Sequence, residues 1–218
     1  MSETTQSGER RHQLHRLPPF LVIRDFLSDE DAATLLAFAI AHRDDFAPSR
    51  VGRNQVVNPA IRDSTIYRGT GDFRRVFEEK VLLRVPELTE RLRMSPVTAQ
   101  KLELALVAHG DGAHYARHID SQVALAQEVK SMRVLSGVYY FHRLPKGFSG
   151  GALRLHSIGP EGDGELHEDV APEHNALVLF PSWAPHEVMR VTCPSGKFED
   201  SRFAVNCWVR REMPVAPS

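Results

Sequence analysis

Residues 99 to 209 form a succession of short strand-like runs divided by turn residues, with no alternation of strand and helix. The runs at 99–108, 115–120, 131–142, 152–156, 175–180, 186–189 and 202–209 are rich in β-branched and aromatic side chains. Gly110 and Gly112, Gly150-Gly151 and Pro181 mark the turns between them. Many short strands without a βαβ rhythm build a sandwich or a jelly-roll barrel, not a doubly wound sheet. Such a roll can bring ligands from separate strands onto one interior surface.

The chain ahead of these runs reads differently. Residues 1–17 are expected to be a flexible lead, and 20–26 a strand after Pro18-Pro19. Ser28 followed by Asp29, Glu30 and Asp31 places a hydroxyl cap and three acids over exposed amides. A helix is predicted from there to about His42, with Leu35, Leu36, Phe38 and Ala39 as its apolar stripe. Residues 44–65 carry Pro48, Gly52 and Pro59 and read as a long loop, with one short strand at 55–57. Long loops in compact enzymes are often functional, which makes this one a candidate lid. A second helix is expected over 71–82, and Pro86 begins or kinks a third stretch carrying Leu88 and Leu92. One domain over 18–218 follows, with helical support at 28–95 and a jelly-roll core at 99–210; 218 residues suffice for a substantial core.

Composition excludes several classes. A net charge of -1 gives no overall field for nucleic acid or acidic lipid, and the basic cluster Arg10, Arg11, His12, His15 and Arg16 is short. The N-terminus lacks the apolar core of a secretion signal, and no window approaches the roughly 20 apolar residues of a membrane span. A cytoplasmic protein, monomeric or a weak homodimer, is the expectation. Cys193 and Cys207 make neither a disulfide scaffold nor a zinc knuckle. His12, His15, His42, His167 and His174 lie in polar surroundings and read as surface residues. The acids of 161–173, among them Asp163, Glu165, Glu168 and Asp169, do not have calcium-loop spacing and read as a solvated loop.

On a strand, His118 and Asp120 point the same way and can hold one divalent ion together. Such a histidine is also often a hydrogen-bonded core residue. Further on, the all-apolar run 175–180 is broken by Pro181-Ser-Trp-Ala-Pro, and His186 follows at the break. Folded beside the pair, His186 would complete two histidines and one carboxylate on one face of a metal, the non-haem iron(II) arrangement. Tyr139 and Tyr140 face opposite ways, so one can present its phenol to a cavity. Arg202 opens the last strand and shares a face with Ala204, Asn206 and Trp208. A buried guanidinium needs an anion, either a ligand carboxylate or an acid of the protein.

These residues resemble the prolyl-4-hydroxylase-type branch of the iron(II) and 2-oxoglutarate-dependent dioxygenases. GDGAHYARHID resembles that family's approach to its HxD pair, and VYYFH with SGGALRLH its next strand and turn. LVLFPSWAPHEV resembles the segment bearing the distal histidine, and RFAVNCW the arginine strand. NPAIRDS, at 58–64, is similar to an arginine-and-serine segment ahead of the core. The resemblance implies a double-stranded β-helix (jelly roll, cupin-like), mainly β with flanking α-helices. It implies iron(II) on His118, Asp120 and His186, with 2-oxoglutarate paired to Arg202 and bonded by Tyr140. O2 is then a co-substrate and ascorbate a reductant.

The implied reaction is hydroxylation of an unactivated C–H bond, with release of succinate and CO2. A prolyl residue of a protein or peptide is the leading substrate; a free amino acid or small secondary metabolite is the alternative. Arg62, Arg68 and Arg143 are available for a substrate carboxylate, and the loops 44–65 and 142–150 are candidate substrate lips. Two rivals are a non-catalytic metal-binding jelly roll and a zinc hydrolase on the same three ligands.

Three departures from the family pattern stand out. The interval from His186 to Arg202 is long, which predicts an extended hairpin near 193–201. The usual asparagine is missing from the YFHRLPKGF stretch. Ala108 stands where several relatives have tyrosine, which removes one polar contact near cofactor or substrate.

Overall fold

A computed structural model describes residues 15–52, 54–98, 101–121, 131–159 and 165–212. After strand β1 (Leu21–Ile23), helix α1 runs over Asp29–Ala41, and Ser28 Oγ accepts a hydrogen bond from Asp31 N at 3.1 Å. Short strands β2 (Ala47–Pro48), β3 (Arg62–Asp63) and β4 (Thr65–Tyr67) cross the long loop. Helices α2 (Phe73–Val81) and α3 (Val85–Arg91) follow, the latter with Pro86 in its first turn, where no amide hydrogen is needed. The roll itself comprises β5 (Lys101–His109), β6 (His114–His118), β7 (Ser131–Phe141), β8 (Ser149–Gly150) and β9 (Leu153–His156). It continues through β10 (His167–Val170), β11 (Ala176–Pro181), β12 (His186–Val188), β13 (Val191–Thr192) and β14 (Arg202–Glu212).

Seven strands form the larger sheet in the order β1-β11-β7-β14-β5-β4-β2, and five form the smaller, β10-β9-β12-β6-β3. All the pairings are antiparallel. This is the double-stranded jelly roll with flanking helices.

Alternation along each strand gives the larger sheet two apolar faces. Phe203, Val205, Cys207 and Val209 of β14 join Leu102, Leu104, Leu106 and Ala108 of β5 in the helix-side cluster. Leu35, Phe77, Val81, Leu88 and Leu92 come down on them from the helices. Each fully buried Leu or Phe contributes about 2 kcal/mol, so this layer fixes the larger sheet as a rigid wall. On the other face Tyr140, Val178, Phe180 and Ala204 pack with Leu153 and Leu155 of the smaller sheet. The space between the sheets beyond that cluster is the site.

Several sequence expectations are corrected. Residues 55–57 are not a strand: Val51 and Val56 make only an isolated bridge, and Val56 and Val57 stay exposed. The acidic tract is not all loop, since its residues 167–170 are strand β10, anchored by Val170 and by Arg154, which grips Asp169 at 2.7 and 2.8 Å. Residues 160–164 lie outside the described residues. His15 is buried rather than on the surface, its ring against Gly159 and its Nδ1 3.3 Å from Ser157 Oγ; Arg16 bridges to Ile158. Ordered packing therefore begins inside the stretch expected as a lead, while Arg10, Arg11 and His12 lie outside the described residues. His42 is part-buried and stacks on Tyr67, with ring centroids 5.5 Å apart.

Candidate active site

Strands β6 and β12 lie side by side with His118 opposite His186. Asp120 follows β6 in a turn held by two amides, Asp120 N and Ser121 N, both of which donate to Ser182 O at 3.0 and 2.9 Å. The register and the turn bring the ligating atoms of His118, Asp120 and His186 within 4.8 Å of one another. His118 Nε2 is 3.9 Å from Asp120 Oδ1, and His186 Nε2 is 3.7 Å from Asp120 Oδ2.

Each imidazole is oriented by its other nitrogen. His118 Nδ1 donates to Ala116 O and His186 Nδ1 to Ala184 O, both at 2.9 Å. A carbonyl only accepts, so each ring carries a proton on Nδ1 and turns Nε2 toward Asp120. Burial, then the neighbouring His186, pushes the His118 pKa well below the usual imidazole value, so the ring is neutral at pH 7. Burial alone would raise the Asp120 pKa, but His186, His118, Arg133 and the Ser136 hydroxyl outweigh it and keep the carboxylate ionised. Ser136 Oγ donates to Asp120 Oδ2 at 2.7 Å.

A second group of polar atoms lies deeper. Arg202 is 1% exposed, its Nε donates to Gly151 O at 2.7 Å, and its Nη1 is 3.3 Å from His109 Nδ1. Among the described residues no carboxylate pairs with it, which leaves a protein acid out of account as its anion. Arg202 Nη2, His109 Nε2 and Tyr140 Oη are all buried without a partner of hydrogen-bonding geometry. The Tyr140 ring lies 4.8 Å from the guanidinium carbon. Burial raises the Tyr140 pKa and keeps its hydroxyl protonated, hence a donor. Leaving three buried groups unsatisfied is costly unless a ligand meets them.

His118, Asp120 and His186, and from the second group Arg202 and His109, line one cavity of about 330 Å³ together with Asn206, Trp208, Val138, Arg50, Arg62, Arg68 and Arg133.

Residues 104–210 match the model of the 2OG-Fe(II) oxygenase superfamily. Over 88% of its length the chain is 32% identical to a Synechocystis protein described as an uncharacterized PKHD-type hydroxylase. The chain belongs to the 2OG-Fe(II) oxygenase superfamily. It spans 63% of the length of that Synechocystis relative. Among solved structures, a Pseudomonas putida prolyl-4-hydroxylase superposes with a TM-score of 0.62 at 23% identity, over 88% of this chain and 93% of that one. A Trichoplax adhaerens prolyl hydroxylase, solved with a hypoxia inducible factor peptide fragment, gives 0.60 at 22% identity, over 95% and 94%. At those identities the likeness is one of fold.

The superfamily's cofactor pair suits both groups of residues. Two imidazoles and an ionised carboxylate, all on one side, are the donor set of a non-haem iron(II) site with open positions. The orphaned Nη2 of Arg202, which pairs with no acid among the described residues, and the orphaned His109 Nε2 and Tyr140 Oη beside it suit a carboxylate.

Other expectations shift. Arg143 is drawn away to Asp200 at 3.3 Å, and no residue of 142–150 lines the cavity, whereas Arg50, Val51, Gly52, Gln55 and Arg62 of the 44–65 loop do. Ala108 does not cost the site a polar contact, because its side chain faces the helix-side core; the cavity-facing neighbour is His109. Sequence reasoning missed His109, Ser136 and Arg133. His109 was findable: strand alternation puts Ala105, Val107 and His109 on the face opposite the helices, and His109 is the polar one at the glycine turn.

Proposed function

We propose that the chain is an iron(II)- and 2-oxoglutarate-dependent dioxygenase hydroxylating an unactivated C–H bond, with a prolyl residue of a protein or peptide as its leading substrate. The observation that carries this is the pairing, in one cavity, of the His118–Asp120–His186 donor set with a buried arginine that pairs with no acid among the described residues. A zinc hydrolase on the same three ligands would leave Arg202, His109 and Tyr140 without a task. Hydroxylation is supported by the description of the Synechocystis relative as a PKHD-type hydroxylase, and the prolyl substrate by the fold shared with two prolyl hydroxylases. Residues 18–218 are taken as one catalytic domain, with ascorbate as an external reductant.

In this reading His118, Asp120 and His186 hold iron(II), and Arg202 pairs with the distal carboxylate of 2-oxoglutarate. Tyr140 Oη and His109 Nε2 donate to the co-substrate beside it. When bound, the iron and 2-oxoglutarate supply the oxygen activation, giving succinate, CO2 and a hydroxylated product. The chain's own part is positional. The Nδ1–carbonyl bonds of His118 and His186 fix ring direction, and Ser136 fixes one oxygen of Asp120. Phe180, edge-on to His186 at 4.7 Å, and the apolar cluster behind it exclude water from that side of the metal. No side chain is required as a general base. Among the described residues no helix is long and apolar enough to cross a membrane.

The test is succinate release from 2-oxoglutarate, screened across proline-containing peptides and free amino acids. His118→Ala and Asp120→Ala should each abolish it; full turnover in either variant would contradict the ligand assignment.

A further inference from the structure

The cavity wall carries more positive charge than a metal and one co-substrate need. Besides Arg202 it holds Arg50, Arg62, Arg68 and Arg133, and Asp120 is its only carboxylate among the described residues. Behind the wall a single acid, Glu103, is shared three ways: with Arg133 at 2.6 Å, Arg210 at 3.0 Å and Arg68 at 3.5 Å. Arg133 is further occupied by Trp208, whose ring lies 3.9 Å from its guanidinium carbon.

Arg62 has no such provision. Its Nε donates to Ser64 Oγ at 3.0 Å and its guanidinium lies 4.6 Å over the Tyr115 ring, but no carboxylate is within ion-pair distance among the described residues. Arg50 donates only to the backbone oxygen of Gln55 and is exposed, and Arg68 is 64% exposed. The chain as a whole is net -1, so this concentration of cations is local. Burial opposes the Arg62 charge most, the Tyr115 phenol and the Asp120 carboxylate favour it, and Arg68 opposes it. With Asp120 committed to a metal, Arg62 would keep Tyr115 and Ser64 but have no carboxylate among the described residues.

We infer that the substrate of this cavity carries a carboxylate, seated on the Arg62 guanidinium with Arg50 and Arg68 drawing it in from the rim. This rests on the oxygenase reading of the site. A planar guanidinium matches a carboxylate with two parallel hydrogen bonds, and a half-buried arginine sheds little hydration on pairing. Cations at the mouth of a cleft raise the local concentration of an anionic substrate. The carboxylate anchors the molecule at one point, and the C–H bond to be hydroxylated lies between that anchor and the metal ligands. The two carboxylates of 2-oxoglutarate do not account for Arg62: Arg202, His109 and Tyr140 would take the distal one, and in the oxygenase reading the one beside the keto group would lie on the metal.

The experiment uses the full chain loaded anaerobically with iron(II) and 2-oxoglutarate, whose visible band reports the assembled site; oxygen is then admitted and succinate followed. One arm compares proline peptides with Asp or Glu beside the proline against the same peptides with Asn or Gln. The other compares free amino and carboxylic acids with their amides. In at least one arm the acid should show a KM about tenfold lower than its amide, equivalent to roughly 1.4 kcal/mol. Which arm responds distinguishes an acidic peptide from a small acid. Arg62→Gln and, separately, the exposed Arg68→Glu should erase most of that advantage with the affinity for 2-oxoglutarate unchanged. Equal KM for acid and amide in both arms overturns the inference, as does an acid preference untouched by both variants or loss of 2-oxoglutarate binding in Arg62→Gln. Absence of both the band and succinate instead removes the oxygenase reading, and the inference with it.

Discussion

Arg202 and His109 face each other across β14 and β5, with Arg202 Nη1 3.3 Å from His109 Nδ1. A guanidinium only donates, so Nδ1 is the acceptor and His109 carries its proton on Nε2, the atom that lacks a partner in the cavity. His109 is thereby a neutral donor of fixed direction beside the buried cation. His109→Phe should weaken 2-oxoglutarate binding about tenfold, the loss of one hydrogen bond to a charged group. Metal affinity should stay unchanged, and His109→Gln should recover part of the loss. Calorimetric titration of 2-oxoglutarate into anaerobic metal-loaded variants checks this.

Burial, then Arg202 and Arg62, pushes the His109 pKa well below its ordinary value of 6.5. In the unfolded chain the ring takes up a proton near that ordinary value, whereas in the folded protein it does not until far lower pH. The unfolded state therefore binds the extra proton below pH 6.5, and stability present above that pH is lost as pH falls. Between pH 6 and 5 the parent protein should lose about 1 kcal/mol more than His109→Gln, the linkage slope of one proton. Urea unfolding at each pH measures the difference; parallel slopes would place the imidazole in solvent-like surroundings.

Ser136 reaches from β7 to Asp120 Oδ2 at 2.7 Å and also meets Ser182 Oγ at 2.9 Å. Removing the hydroxyl frees the Asp120 carboxylate to rotate while leaving all three proposed metal ligands in the chain. Ser136→Ala should lower metal affinity about tenfold, the range found for groups that orient ligands. Competition with a chelator indicator reads this, with the fold checked by circular dichroism.

Gly151 has φ +68°, and a Cβ there would stand 2.5 Å from Arg202 Cδ and 2.9 Å from Val191 Cγ2. The backbone passes this close because Gly151 O accepts from Arg202 Nε. Gly151→Ala should destabilise the protein by about 1–3 kcal/mol and displace Arg202, raising the KM for 2-oxoglutarate. Gly196, also at positive φ but in open space, is the control: its alanine variant should carry only the backbone cost and leave that KM unaltered.

The roll was legible because period-two alternation is strict where a strand separates two apolar layers. In β14 the Phe203, Val205, Cys207 and Val209 face and the Arg202, Ala204, Asn206 and Trp208 face came out as read. The Ser28 cap and Pro86 marked helix starts for local reasons that tertiary contacts did not override. What stayed hidden depends on partners distant in sequence. Strand β10 is an edge strand of mostly exposed charged residues, so no apolar pattern announces it. His15 is buried only because Ser157 and Gly159 come back to it. At the site, the HxD spacing and the strand break before His186 flagged three residues brought together in space, and Arg202 was read from its strand, whereas the choice of Tyr140 over Tyr139 rested on the family resemblance. Ser136 and Arg133 escaped because their importance lies in what they touch, Asp120 and Trp208, which no spacing reveals.

The most direct measurement is the visible spectrum of the full chain under anaerobic conditions, with iron(II) alone and then with 2-oxoglutarate. Chelation of the keto acid on iron held by His118, Asp120 and His186 should produce a weak charge-transfer band, lost in Asp120→Ala and strongly weakened in Arg202→Leu. A metal-loaded protein showing no band at saturating 2-oxoglutarate would contradict the assignment.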